Sequence, residues 1–228
     1  MLGLGSSITK AGAISLFTIT DLSPELWFQF NTGQGAISGG IQWDDQSGND
    51  NHASQTTDAQ EGSGFSGGAF VTDASSSDNL DTVSDVDLAE GYHMFIVLNL
   101  SEQSNETFIS SVDNSSFIRF AQGGAATAYR MKNGGTTVNI TLDEAFGTSK
   151  AIAEITRDGS NNIRILKNGE AIGSGSGTGT FAFEQIGTSS NGITTGEVHE
   201  VVVFSSALSS DNATLVRNDI ADRCSITL

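Results

Sequence analysis

The chain has 228 residues with 27 glycines and one proline, and its 27 acidic against 10 basic side chains give a formal net charge of −17. That length suits one β-sandwich domain with a full core rather than two large domains, and a single cysteine, Cys224, excludes an intrachain disulfide. No apolar run approaches the ~20 residues that span a bilayer. A negative field of this size repels phosphate backbones and anionic lipids, so neither nucleic acid nor membrane insertion is expected.

The charge is unevenly placed. Up to Phe117 one basic residue, Lys10, faces 16 acidic ones, whereas from Ile118 onward 9 basic residues meet 11 acidic. Solubility is the plain reading of the acidic half, and attraction of cations or a basic partner is the sharper one. Residues 1–21 lack the turn punctuation of the rest and read as an extended arm, with Leu2, Leu4, Ile8, Ile14, Leu16 and Phe17 as candidate assembly contacts. The opening Met1-Leu2-Gly3-Leu4-Gly5 has no charged start or continuous apolar core of a secretory signal, so an extracellular location would be reached by lysis or by assembly into a particle.

Pro24 to Phe30 predicts a first strand with Leu26, Phe28 and Phe30 on one face and Trp27 on the other. In the segment from Trp43 to Ala53, Asp45 can accept hydrogen bonds from backbone amides two and three residues on, Gly48 supplies positive φ, and Asn51 can bridge the turn to a following strand. His52 has no His or Cys spaced to join it on a metal. The stretch 61–90 offers Asp73, Asp78, Asp81, Asp85 and Asp87, hard oxygens of the kind calcium takes, without an Asp-x-Asp-x-Asp-Gly spacing. Calcium is thus possible, and no other cofactor is expected.

Tyr92 to Leu100 predicts a buried strand, followed by short strands at Phe108–Ser111, Phe117–Gln122, Ala128–Lys132 and Thr136–Leu142. Hairpin turns are expected at Asn133-Gly134-Gly135, Asp158-Gly159 and Asn168-Gly169, where Asn and Gly tolerate positive φ. A Gly/Ser-rich link then leads to Phe181–Gly187 and to the buried strand ending at Phe204. Ser209 to Arg223 is the convincing helix, with Ser209 or Ser210 as N-cap, Leu215, Val216 and Ile220 as its apolar stripe, and Arg217 and Arg223 suiting its far end. Cys224, without a His or Lys beside it, reads as a packed thiol.

The unit from Ala151 to Leu208, with its two Gly turns, its Ile186-Gly187 strand end, and Glu197 to Phe204 before Ala207-Leu208-Ser209, resembles the C-terminal half of the laminin-G-like, concanavalin A-like lectin/glucanase superfamily. The turn Asp45-Gln46-Ser47-Gly48-Asn49-Asp50-Asn51-His52-Ala53 resembles that family's start, and Gly67-Gly68-Ala69 its next strand. Tyr92 to Leu100 is similar to a further strand of the family, although an aliphatic residue replaces the family's usual Trp. The resemblance implies an all-β, antiparallel two-sheet sandwich of jelly-roll type over 22–208, with an N-terminal arm (1–21) and a C-terminal helix and tail (209–228) packed on it.

A helix straight after Ala-Leu-Ser, together with the opening Met-Leu-Gly-Leu-Gly-Ser, resembles lectin-like modules of marine and cyanobacterial phage virion proteins. That resemblance implies a capsid decoration or tail-appendage subunit on the outer surface of a particle. Its partners would be other virion proteins, further copies of itself in a homo-oligomer or symmetric array, and a host-surface glycan. The alternative is a carbohydrate-binding adhesion module, calcium-dependent or not, for which Trp43 and Tyr129 are the candidate stacking aromatics. A glycoside hydrolase or lyase is the least favoured reading. Retaining hydrolysis needs two carboxylates ~5 to 5.5 Å apart on one face, and the odd spacing of Glu197 and Glu200 puts them on opposite faces of a regular strand. No Ser-His-Asp order, phosphate loop or zinc-ligand spacing appears, so no catalytic residue is assigned.

Overall fold

The computed structural model describes residues 17–56, 64–73, 79–100, 105–187 and 195–228. After a short 3-10 turn at Ile19–Leu22 come strands β1 (Leu26–Phe28), β2 (Gln34–Ile37), β3 (Gly40–Trp43), β4 (Ala53–Gln55), β5 (Gly64–Ser66) and β6 (Ala69–Asp73). Longer strands follow: β7 (Asn79–Leu88), β8 (Tyr92–Leu100), β9 (Glu106–Ser110), β10 (Phe117–Phe120), β11 (Ala128–Asn133) and β12 (Thr136–Thr141). The last five are β13 (Ala151–Arg157), β14 (Asn162–Lys167), β15 (Glu170–Ser176), β16 (Phe181–Gly187) and β17 (Thr195–Phe204), before helix α1 (Ser210–Cys224).

All pairings are antiparallel. One sheet runs β15-β14-β13-β8-β17-β6-β5, with β1 also on β17; the other runs β12-β11-β10-β9-β16-β7-β4-β3-β2. The expected two-sheet sandwich with one C-terminal helix is therefore the observed fold. Met94, Ile96 and Leu98 of β8 and Val201 and Val203 of β17 point between the sheets. Phe95, Val97, Val202 and Phe204 point the other way, into a second cluster with Ala213, Val216, Ile220 and Cys224 of α1. These two strands read as unbroken apolar runs because the sheet is covered on both faces, by the second sheet and by the helix.

Several local expectations change in the structure. Phe30 lies beyond β1 and packs against the helix-side cluster rather than sharing the inward face of Leu26 and Phe28. The Asp158 turn places Asn161, not Gly159, at positive φ (65°), because Asp158 Oδ1 accepts from the amides of Ser160 and Asn162 and closes a four-residue loop. Asn168 and Gly169 do adopt the paired positive φ of a tight hairpin (51° and 92°). The Gly/Ser-rich link proves to be strand β15. A Cβ on Gly175 would lie 2.9 Å from Ile140 Cγ1, and one on Gly177 2.3 Å from Val138 Cγ2, so glycine lets this edge approach β12. In α1 the buried stripe is Ala213, Val216, Ile220, Ala221 and Cys224, while Leu215 is exposed.

Two buried polar devices hold the frame. Asp45 accepts from the amides of Trp27, Ser47 and Asn51, Gly48 takes φ 94°, and Asn51 exchanges two hydrogen bonds with the backbone of Ser84 on β7. Arg157 is fully buried and donates to the carbonyls of Leu88, Ala89, Glu90 and Gly179 while lying over the Tyr92 ring. It thus ties the β7–β8 turn to the β15–β16 connection with main-chain acceptors alone.

Candidate functional site

The two aromatics expected to stack on sugar are core residues. Trp43 is fully buried, packs on Phe28 and Phe65, and donates its indole N–H to the carbonyls of Gln29 and Thr32. Tyr129 is 1% exposed and edge-packed on Phe120. Both occupy inward positions of their strands, and Trp43 tolerates burial because chain carbonyls satisfy its one donor. Neither offers a ring face to a ligand.

Among the arm residues, Leu2, Leu4, Ile8, Ile14 and Leu16 lie outside the described residues. Phe17 packs on the helix-side cluster with Leu22, and Ile19 is fully buried there. Residues 17–21, read as part of the arm, are thus packed on the sandwich.

Among the acidic candidates, Asp81 accepts from Asn79 and Gln185. Asp85, Asp87 and Asp113 surround Glu184, whose pKa is raised by its partial burial and by these like charges. Asp78 and the side chain of Asp73 lie outside the described residues, and no group of three or more acidic, His or Cys side chains among the described residues could hold a metal ion.

The glutamates of β17 correct the sequence reading. The register slips between Val198 and Glu200, with Glu197 opposite Asn99 and Glu200 opposite Val97. Asn99 and Val97 are two apart on β8 and share a face, so Glu197 and Glu200 also share one, the helix side of the sheet. The extra residue is His199, and a β-bulge of this kind reverses the parity of a strand. The pair nevertheless lacks the chemistry of a hydrolase. Glu200 is fully buried and accepts from Trp27 Nε1, the Phe30 amide, Arg223 Nε and Nη2, and the Cys224 thiol. A carboxylate this fully engaged has no free lone pair with which to attack or to carry a proton. Burial and the Glu200 charge also push the Cys224 thiol far up, leaving it inert.

Glu200 has a counterpart. Glu154 of β13, 2% exposed, accepts from Arg217 Nε at 2.8 Å and lies 2.8 Å from His93 Nε2. The Leu208 amide donates to His93 Nδ1, so the N–H that faces Glu154 is on Nε2. Burial pushes the Glu154 pKa up, but the His93 hydrogen bond and the Arg217 charge outweigh it and hold the carboxyl below the usual range. Two arginines of α1 thus reach down onto two buried glutamates of the sheet. A cleft of about 360 Å³ beside the Glu154–Arg217 pair is lined by His93, Glu154, Arg164, Gly169, Ser210 and Arg217, among others.

A different corner of the same face holds polar groups that are not satisfied. His199, 7% exposed, has no hydrogen-bond partner on either ring nitrogen. Its Nε2 nevertheless lies 3.1 Å from Glu197 Oε2, which leaves Nδ1 as the nitrogen without any polar neighbour. Asn99 donates to the same carboxylate oxygen at 3.0 Å and leaves its own Oδ1 buried and unpaired. The Phe30 ring sits 5.8 Å from the His199 ring, and the Lys150 ammonium lies 5.4 Å from the Phe30 centroid. Burial and the Lys150 charge lower the His199 pKa to about 4, against an opposing pull from Glu197, so the ring is neutral at physiological pH. Strand parity already places His199 on the face of Glu197; what sequence reading passed over is the partner, because the pairing of Glu197 with Asn99 of β8 is a contact made only in the folded sheet.

No family model matches the chain, and no curated protein matches it. Solved structures do. The binding domain of Paraclostridial Mosquitocidal Protein 1 is similar over 89% of this chain and 53% of its own, with a TM-score of 0.59 at 13% identity. The botulinum neurotoxin serotype D ligand binding domain, in complex with N-acetylneuraminic acid, is similar over 86% of this chain and 51% of its own (TM-score 0.54, 14% identity). A structure concerned with botulinum neurotoxin type C and its interaction with two ganglioside molecules is similar over 89% and 52% (TM-score 0.60, 16% identity). The chain spans about half the length of these neighbours, and at such identities the likeness is one of fold: a lectin-like β-sandwich of the kind found in binding domains.

Proposed function

We propose that the chain is a non-catalytic, laminin-G-like module displayed on the outer surface of a phage particle, as a capsid decoration or tail-appendage subunit attached through the segment before Phe17. The observation that carries this reading is where the described ends lie. Phe17, Ile19 and Leu22 at one end and Ile226 at the other all pack on the cluster beneath α1. Both ends therefore leave from the helix-covered face, and the nine-stranded sheet, over which no α-helix packs among the described residues, faces the opposite way. That polarity suits a subunit held by its ends and presenting a β-surface outward. The resemblance of the opening residues and of the terminal helix to phage virion modules supports the particle as its setting.

Deletion of residues 1–16 tests the attachment. The truncated chain is expected to keep its fold, read by circular dichroism and thermal melting, and to be lost from assembled particles. Incorporation at the full-length level would contradict attachment through this segment.

A second reading, glycan binding, is favoured by the unsatisfied corner at His199 and by the binding-domain character of the structural neighbours. It is compatible with display, since a surface subunit can also be an adhesin.

A further inference from the structure

We infer that the corner formed by Asn99, Glu197, His199, Lys150 and Phe30 is a binding site for a neutral, hydroxyl-rich ligand, a hexose or N-acetylhexosamine unit. It gives the glycan-binding reading a place in the fold, and it is independent of how the subunit is attached. Buried polar groups in folded proteins almost always find partners, and each exception calls for an explanation. Among the described residues some of the exceptions, Tyr129 Oη and the Asn133 amide, lie elsewhere, and others gather in this corner. His199 Nδ1 and Asn99 Oδ1 are buried without a partner on either side of the carboxylate that His199 Nε2 approaches to 3.1 Å, and Thr195 Oγ1, two residues before Glu197 on β17, is unpaired as well. The corner therefore lacks both donors and acceptors, and hydroxyl groups supply both from the same atom.

Charge decides the ligand class. Glu197, whose side chain is 38% exposed, forms the open side of the corner. Its negative charge opposes an anionic ligand, and the Lys150 ammonium, close enough to disfavour protonation of His199, opposes a cation. With a neutral imidazole between them, the two formal charges cancel. Carboxylate and amide oxygens accept from sugar hydroxyls, an ammonium donates to them, and an aromatic ring beside these groups covers the apolar face of a pyranose.

Nuclear magnetic resonance of the full chain with ¹⁵N-labelled histidine rings tests the site, with galactose, glucose, mannose and N-acetylglucosamine titrated separately to millimolar concentration. At least one sugar is expected to shift the His199 ring nitrogens saturably, leaving those of His52 and His93 in place; the charged analogues glucuronate and glucosamine should bind more weakly. Glu197→Gln should weaken binding about tenfold or more, the worth of a hydrogen bond to a charged acceptor, without moving Tm. His199→Leu, which removes an unpaired buried nitrogen, should raise Tm and abolish binding; if it does not fold, the partly exposed Glu197→Gln still decides.

The site is overturned if none of the four sugars moves the His199 resonances, if binding is undiminished in Glu197→Gln, or if Zn²⁺ moves them and no sugar does. None of these outcomes touches particle incorporation, so failure here and failure of the display reading are separable.

Discussion

At the scale of single residues, the chemistry of this fold is concentrated in a few buried charges, and Glu200 is the most heavily used. A lone buried carboxylate would be prohibitively costly, and here Arg223, Trp27, the Phe30 amide and Cys224 share its charge. Glu200→Ala should therefore destabilise the protein by ~3–5 kcal/mol through the unpaired Arg223 left behind, whereas Glu200→Met combined with Arg223→Met should recover a large part of that loss. Urea titrations of the three proteins check this, and a double variant no more stable than the single one would contradict it. None of this is legible in the residues Gly196 to Glu200 alone. Strand parity puts the two glutamates on opposite faces, and the register slip at His199 that reverses the parity leaves no mark in residue type. Trp43 and Tyr129 lie in the core rather than on a stacking surface for a related reason: an aromatic with a polar tip suits a binding surface and a core equally well, and composition does not separate the two.

At the scale of elements, α1 is fastened by the Glu154–Arg217 and Glu200–Arg223 pairs as much as by its apolar stripe, which explains why its arginines face the sheet rather than only its far end. The folded pKa of Glu154 lies below its unfolded value, so its contribution to stability is fully present above the usual carboxylate range and is lost as pH falls through the depressed value. The Tm gap between the wild type and Glu154→Gln should accordingly be widest at neutral pH and close below about pH 4; a gap independent of pH would contradict the assignment.

The β12–β15 contact makes a second prediction at this scale. Gly177→Ala drives a methyl into Val138 and should cost ~1–3 kcal/mol as an overpacked contact, read as a fall in the urea midpoint; an unchanged midpoint would contradict the close approach. The signal for β15 was present in the sequence, because Gly173 and Gly175, with Gly177 just past the strand's end, recur with the period of a strand. Glycine there reads as a linker until a partner strand is known to need the space.

At the scale of the whole molecule, the sandwich was legible because its hairpin turns, alternating strands and two-sided apolar runs all pointed to the same fold. The Asp45 turn was legible in the same way, although one of its bonds reaches back to Trp27 and another to Asn51, longer spans than the local turn suggested. What the sequence left open is where Phe17 to Leu22 and Ile226 settle, and they settle beneath the helix. The central proposal, a displayed particle subunit, is tested most directly by quantitative mass spectrometry of phage particles purified from the source of the chain. The account predicts the chain in fixed stoichiometric ratio to the major particle proteins after extensive washing, and its absence from such particles would contradict it.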